Sequence, residues 1–306
     1  MKVVITGGAG FIGSHVLDRL VRDGCEQIVI IDNLFRGRMS NIKAHLSNPA
    51  VTFAQADIRD EAALRPLIAG ADTVYHLAAQ SNVIGAVTDI DYSFTTNVVG
   101  TFNVLKAARD LGVRRVVFTS SREVYGEAQY LPVDENHPFN AKNSYGASKS
   151  AGEMYCRVFN NMGTAVSVVR LGNAYGSRDV DRVIPIWLTR ALKGEDLIVY
   201  GGQQLIDFVW IDTIVDALVR LAAMDVDPDP VNIASGQGTS ILDLAQRILA
   251  LTGAGTKVVV QSARSAEVAK FTADVRRMQQ RLGIQPPADP LFGLPQLVTW
   301  YRDNLI

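Results

Sequence analysis

KVVITGGAGFIG, Lys2 to Gly13, is the stretch whose reading decides the fold. Lys2 to Thr6 is a short β-branched run, and Gly7-Gly8-Ala9-Gly10-Phe11-Ile12-Gly13 follows it without a spacer. Ser14 to Val21 then carries helical periodicity. Strand, glycines and helix in that order make a phosphate-binding turn. Glycine permits positive φ and close backbone approach, while the free N–H groups and positive dipole end of the helix favour a pyrophosphate. Asp32 ends the second apolar run 19 residues after Gly13, the separation at which an acidic residue accepts hydrogen bonds from adenosine ribose hydroxyls. A carboxylate there repels a 2′-phosphate, so the spacing predicts NAD, with Arg36 and Arg38 close enough in sequence to keep NADP in play. Asp57 and Ile58, just past the third run, are placed to meet the adenine.

Outward from the loop, further short runs alternate with helix-like segments: Gln27 to Ile31, Val51 to Gln55, Thr73 to Leu77, Arg115 to Thr119 and Ala165 to Arg170. VVIT, IVII and VVFT are apolar on both pleat faces, as strands between two helical layers are. The pattern predicts an α/β protein with a Rossmann-type, doubly wound parallel sheet. After Arg170 the rhythm loosens and prolines appear at 185, 228, 230, 286, 287 and 290. Residues 1–170 therefore read as the NAD-binding domain, re-entered at about 205–235, where FVWI and DTIVDALVRLAA look like one more strand and helix of the main sheet. Residues 171–204 and 236–306 read as a smaller mixed α/β substrate domain.

Composition narrows the class. Of 306 residues 48% are apolar, and 30 Lys+Arg stand against 31 Asp+Glu, for a net charge of −1. With no basic excess the chain lacks the electrostatic footprint of a nucleic-acid binder. No stretch reaches the roughly 18 apolar residues of a membrane span, and the start runs straight into glycines, unlike a signal peptide; a cytoplasmic protein is expected. Cys25 and Cys156, the two cysteines, form no C-x-x-C pair and read as buried small hydrophobes. His76 reads as a structural part of a strand end, and His15, His45 and His137 show no metal-ligand spacing, so no metal is expected.

Tyr145-Gly146-Ala147-Ser148-Lys149 sets a phenol and an ammonium at i and i+4, on one face of a helix that Ala151, Met154, Tyr155, Val158 and Phe159 continue. A phenol titrates near 10, so acting as a base at neutral pH needs a depression of roughly three units, about 4 kcal/mol. A neighbouring lysine and a nicotinamide cation can supply it. The hydroxyl-rich strand end Thr119-Ser120-Ser121 completes the constellation.

With these residues in place the chain resembles the extended short-chain dehydrogenase/reductases, and within them the NAD-dependent nucleotide-sugar epimerases and dehydratases, including the UDP-glucose 4-epimerase-like members. The resemblance rests on TGGAGFIG at Thr6 to Gly13, Asp32-Asn33, YHLAA at Tyr75 to Ala79, NVVGT at Asn97 to Thr101, TSSREVYG at Thr119 to Gly126, YGASK at Tyr145 to Lys149 and RLGNAYG at Arg170 to Gly176. IDFVWIDTIVDAL from Ile206 and LVTWYRDN from Leu297 fit as well. It implies NAD against Gly7, Gly10, Phe11, Ile12, Gly13, Asp32 and Asn33, with Asp57, Ile58, Leu77, Ala78, Ala79, Asn97, Thr119, Tyr145 and Lys149 as further contacts. It also implies that Tyr145 takes the proton from a sugar hydroxyl, usually at C4, that Lys149 holds the ribose and lowers the phenol's pKa, and that Ser121 hydrogen-bonds the reacting oxygen. Asn173 and Arg264 match residues that grip the substrate diphosphate. Ile206 stands where relatives often have an arginine.

The reaction is less constrained than the family. The 4,6-dehydratases carry an acid pair after a catalytic threonine, and this chain has Arg122 and Glu123 there. Glu123 is a catalytic candidate, or else a loop carboxylate paired with an arginine; Arg122 is a substrate-binding candidate that could face a uronic carboxylate. The expectation is a nucleotide-sugar 4-epimerase, a UDP-sugar favoured. A 4,6-dehydratase, a decarboxylase, a 4-ketoreductase, a UDP-uronic acid epimerase and a non-catalytic scaffold are the alternatives. Relatives pair through segments matching Asp91 to Leu111 and Tyr145 to Asn161, so a homodimer is expected.

Overall fold

The computed structural model describes residues 1–81, 83–225, 227–263 and 268–304. The first half alternates as the sequence predicts: β1 (Lys2–Thr6), α1 (Phe11–Arg22), β2 (Gln27–Asp32), β3 (Val51–Gln55), α2 (Glu61–Ile68) and β4 (Thr73–His76). Helices α3 (Val83–Thr88), α4 (Ile90–Phe94) and α5 (Thr101–Asp110) follow, with a π-helical turn, Thr95–Gly100, between the last two. Then come β5 (Arg115–Ser121), α6 (Ser144–Asn161), β6 (Val166–Leu171), β7 (Asn173–Tyr175), α7 (Val183–Leu192), β8 (Leu197–Tyr200) and β9 (Leu205–Trp210). The chain finishes with α8 (Ile211–Ala223), β10 (Val231–Ile233), β11 (Gly238–Ser240), α9 (Ile241–Thr252), β12 (Val258–Gln261), α10 (Arg276–Leu282) and α11 (Leu294–Asn304).

Seven strands form the main sheet in the order β10-β6-β5-β4-β1-β2-β3, every pair parallel. The pleat explains the doubly apolar runs. Val3, Ile5, Ile28 and Ile30 point into one core, which continues through α8 into the C-terminal elements, while Val4, Val29, Ile31 and Phe118 point into a second core. The order reverses between β1 and β4, which leaves a crevice at the carboxyl ends of those strands, where ligands bind in such sheets.

One expectation is corrected. FVWI lies in β9, which pairs with β7 and β11 in a separate three-stranded sheet and not with the main one. The return to the main sheet is made instead by α8, packed against α1, and by β10, whose Val231, Asn232 and Ile233 pair with Val169, Arg170 and Leu171. A strand of three residues is too short to carry a period, so the sequence pattern picked the longer apolar run. β8 and β12 form a third, two-stranded sheet.

His76 shows how tightly the crevice floor is built. It is 1% exposed, and its two ring nitrogens meet the Thr6 hydroxyl at 2.8 Å and the Thr101 hydroxyl at 3.0 Å, joining β1, β4 and α5. Burial, reinforced by Lys149, pushes its pKa down to about 3. The folded value lies below the unfolded one, so the folded protein refuses a proton that the unfolded chain accepts. Stability from this residue is intact above the unfolded pKa near 6.5 and falls as pH drops toward 3, by about 1.4 kcal/mol per pH unit. Histidine NMR is expected to show no titration of His76 above pH 4, and His76→Asn, though less stable at neutral pH, is expected to lose stability less steeply on acidification. A ring that titrates near 6 would contradict the reading.

Candidate active site

The glycine turn is closed by contacts that leave no room for side chains. Gly7 has φ +73°, and a Cβ on it would lie 2.7 Å from the Ala78 backbone nitrogen; one on Gly13 would lie 2.2 Å from the Gly7 carbonyl oxygen. α1 therefore starts directly under the loop, with Gly10 as its N-cap. Asp32, 7% exposed, faces the same cavity; its Oδ1 accepts the Leu34 N–H at 2.8 Å and its Oδ2 the Ala9 N–H at 3.0 Å. Burial raises its pKa against these two hydrogen bonds. Carboxylate oxygens have further lone pairs, so Asp32 can still accept from a ligand.

A cavity of about 590 Å³ runs from Asp32 past the glycine turn to Tyr145 and on to Tyr200 and Ile206. Of the expected cofactor residues, Gly7, Gly10, Phe11, Ile12, Gly13, Asp32, Asn33, Ile58, Leu77, Ala78, Ala79, Thr119, Tyr145 and Lys149 line it. Asp57 and Asn97 are not brought to it. The Asp57 carboxylate is held by Arg59, at 2.8 and 2.9 Å, and by Asn33 at 2.9 Å, which lowers its pKa to about 2. Asn97, turned inward by the π-helical turn, pairs with the backbone of Gln80 and with Ser148, fixing the loop after β4 to α6. Arg36 also lines the cavity, but reaches across it to an ion pair with Asp181 and to Ser81 at 3.3 Å.

Tyr145 and Lys149 lie on the inner face of α6, opposite the end of β5. Lys149 is buried; its Nζ donates to the Thr119 carbonyl at 2.8 Å and lies 6.0 Å from the centre of the Tyr145 ring. Burial lowers its pKa to about 8. Tyr145 lines the cavity with Ser121; burial, and Glu123 with it, raises its pKa against the pull of Arg182, of Ser121 and of Arg36. Arg182, at the N-cap of α7, lies over the Phe11 ring at 5.5 Å and pairs with Asp179 at 2.8 Å. Sequence reasoning missed Arg182: it stands 37 residues from Tyr145, and no periodicity links them.

Beside Tyr145 the loop after β5 is tied down. Arg122 contacts Glu123 Oε1 at 2.9 Å and donates from Nε to Asn173 Oδ1 at 2.5 Å. The other Glu123 oxygen accepts from Asn143 Nδ2 at 2.8 Å, while Asn143 Oδ1 caps α6 by accepting the Gly146 N–H at 2.8 Å. Asn143, the second residue missed, thus couples Glu123 to the start of the helix that carries Tyr145. Asn173, Arg122 and Ile206 line the cavity; Arg264 lies outside the described residues. Among the described residues no cluster of His, Cys, Asp and Glu is arranged to hold a metal ion, and no helix is long and apolar enough to cross a membrane.

The residues fit a dinucleotide: a side-chain-free cradle at Gly7 and Gly13, a buried carboxylate with acceptor capacity to spare, and a lysine lining the same cavity near Tyr145. Comparison with known proteins agrees. Across 99% of both chains the sequence is 36% identical to a putative UDP-glucose 4-epimerase of Methanocaldococcus jannaschii. The structure superposes on the UDP-glucose 4-epimerase of Thermotoga maritima, solved with UDP-glucose, with a TM-score of 0.94, 31% identity and full coverage of both chains. It superposes on the dTDP-glucose 4,6-dehydratase of Streptomyces venezuelae, solved with NAD, with a TM-score of 0.95 and 29% identity over 99% of this chain and 98% of that one. The family model of the NAD dependent epimerase/dehydratase family matches residues 3–234, and the chain belongs to that family.

Proposed function

We propose that the protein is a nucleotide-sugar 4-epimerase that recycles NAD, with UDP-sugars as its substrates. The supporting observation is that Arg122 stands where the 4,6-dehydratases carry the first acid of their pair, and the one carboxylate there, Glu123, is ion-paired to Arg122 at 2.9 Å and hydrogen-bonded by Asn143 at 2.8 Å. Tyr145, Ser121 and Glu123 all line the cavity.

When bound, NAD supplies a reversible hydride acceptor for C4 of the sugar. The chain supplies the rest. The N–H groups at the start of α1 face the pyrophosphate, and Asp32 accepts from the adenosine ribose and disfavours a 2′-phosphate. Lys149 spends one hydrogen on the Thr119 carbonyl and keeps two for the other ribose. Ser121 orients the C4 hydroxyl, and Tyr145 takes its proton and later returns one, its phenolate favoured by Arg182 and Arg36. Asn173, held by Arg122, contacts the diphosphate together with Arg264. Arg122 holds Glu123 and Asn173. Residues 1–170, with α8 and β10, form the cofactor side, and the elements around β8, β9 and α9 the sugar-nucleotide side.

A second copy of the chain is the expected partner. The outer faces of α4 to α6 expose Phe94, Val99, Phe102, Met154, Val158 and Met162, an apolar surface of the kind that marks interfaces. Sedimentation is expected to give a dimer that Phe102→Glu with Val158→Glu splits into folded monomers; a wild-type monomer would contradict this.

The activity is tested by incubating UDP-glucose, UDP-glucuronic acid and their N-acetyl counterparts with the protein and NAD. A product of unchanged mass with an inverted C4 proton coupling is expected, and Tyr145→Phe is expected to lower kcat about 10²–10⁴-fold. Loss of water or carbon dioxide would overturn the epimerase reading in favour of a dehydratase or decarboxylase.

A further inference from the structure

α6 sets three polar side chains four residues apart on its inner face, Tyr145, Lys149 and Glu153, and the last three residues of β5 meet them one each. The Thr119 carbonyl accepts Lys149 Nζ at 2.8 Å, Ser120 Oγ donates to Glu153 Oε1 at 2.5 Å, and Ser121 lines the cavity with Tyr145 and favours its phenolate. The first and third of these contacts serve the chemistry proposed above; the middle one has no part in it.

Glu153 has a side chain only 5% exposed, and a carboxylate so deep requires a counter-charge. Arg170 of β6 provides it, with Nε at 3.0 and 3.1 Å from the two carboxylate oxygens and Nη2 at 2.8 Å from Oε2. Arg170 is fixed from behind by the Tyr125 hydroxyl and the Glu135 carbonyl, each at 2.9 Å. Glu153 is therefore locked in place by β5 and β6.

The groups around Lys149 leave Glu153 a specific electrical task. His76 of β4 is neutral at physiological pH, and Phe118 of β5 offers a ring face 4.9 Å from Nζ. On α6 itself Tyr145 is a phenol whose pKa burial raises, and burial holds the Cys156 thiol protonated. Burial works against the Lys149 ammonium, and Cys156 and Glu153 work for it; with the thiol neutral, Glu153 is the negative charge that acts near pH 7. Arg170, on β6, pairs with Glu153 at 2.8 Å, so the carboxylate one helical turn from Lys149 is the nearer member of a buried ion pair.

We propose that Glu153 is a positioning residue for the Tyr145–Lys149 pair: clamped by Arg170 and Ser120, it provides the buried negative charge one helical turn from Lys149 that keeps that side chain an ammonium at the end of β5. Its importance for turnover rests on the epimerase reading; its effect on Lys149 does not.

Glu153→Gln alone strands a buried arginine, so the test removes both charges together. The full-length protein is labelled at lysine side chains, the Lys149 signal is assigned by its absence in Lys149→Met, and its titration is followed by NMR in wild type, Glu153→Asp and Glu153→Gln/Arg170→Gln. Wild type and Glu153→Asp are expected to titrate alike near 8. The neutral double variant is expected to titrate lower by about one unit or more, with the alkaline limb of kcat moving by the same amount. A midpoint unchanged in the double variant, or one that falls as far in Glu153→Asp, overturns the proposal and leaves Glu153 a packing residue. Failure of the wild type to turn over any UDP-sugar would count against the epimerase reading alone, because the lysine titration needs no substrate.

Discussion

Burying a lysine and a tyrosine side by side at the end of a parallel strand runs against solvation, and the rest of the site is arranged around making that burial tolerable. Desolvation pushes Lys149 toward neutrality and Tyr145 away from ionising, which is the opposite of what a proton-transfer pair needs. The protein answers with fixed partners. The Thr119 carbonyl gives a hydrogen bond, and Arg182, Ser121 and Arg36 favour the phenolate, while Glu153, itself paired with Arg170, stands behind the ammonium. These partners come from β5, from α6 itself, from the loop after β2 and from the N-cap of α7, so the pair works only in the assembled fold.

That arrangement also explains the odd face of α6. Its buried side holds Tyr145, Ser148, Lys149 and Glu153 with only small residues and Phe159 among them, whereas Met154, Tyr155, Val158 and Met162 face outward. An amphipathic helix usually turns its apolar stripe to its own core. Here the inner face is reserved for the site, and Gly152 lets the helix approach so closely that a Cβ there would lie 2.8 Å from the Phe118 ring. The apolar stripe is left for another surface, which the proposed dimer supplies.

Much of this was legible in the sequence, because it is local. Glycines directly after a strand, an acid at the end of the next strand and a tyrosine four residues before a lysine each express one element's geometry, and the parallel sheet followed from runs apolar on both faces. What escaped depends on distant segments meeting. FVWI has the pattern of a main-sheet strand but pairs with β7 and β11; Arg182 reaches the Tyr145 neighbourhood from the N-cap of α7; Asn143 ties Glu123 to the start of α6. Asp57 had the right position for the adenine, yet Arg59, two residues on, claims its carboxylate. Glu153 was within reach of sequence reasoning, since it continues the spacing of four that joins Tyr145 to Lys149; its meaning came only with Arg170 and Ser120 beside it.

The central claim is that the site removes a hydrogen from C4 of a sugar nucleotide and puts the same hydrogen back on the other face, under a buried tyrosine and without exchange with water. A UDP-sugar deuterated at C4, turned over in ordinary water and analysed by mass and proton NMR, tests this most directly. The account predicts a C4 epimer that keeps its deuterium at C4. A product carrying solvent hydrogen at C4, or one that has lost water or carbon dioxide, would contradict it.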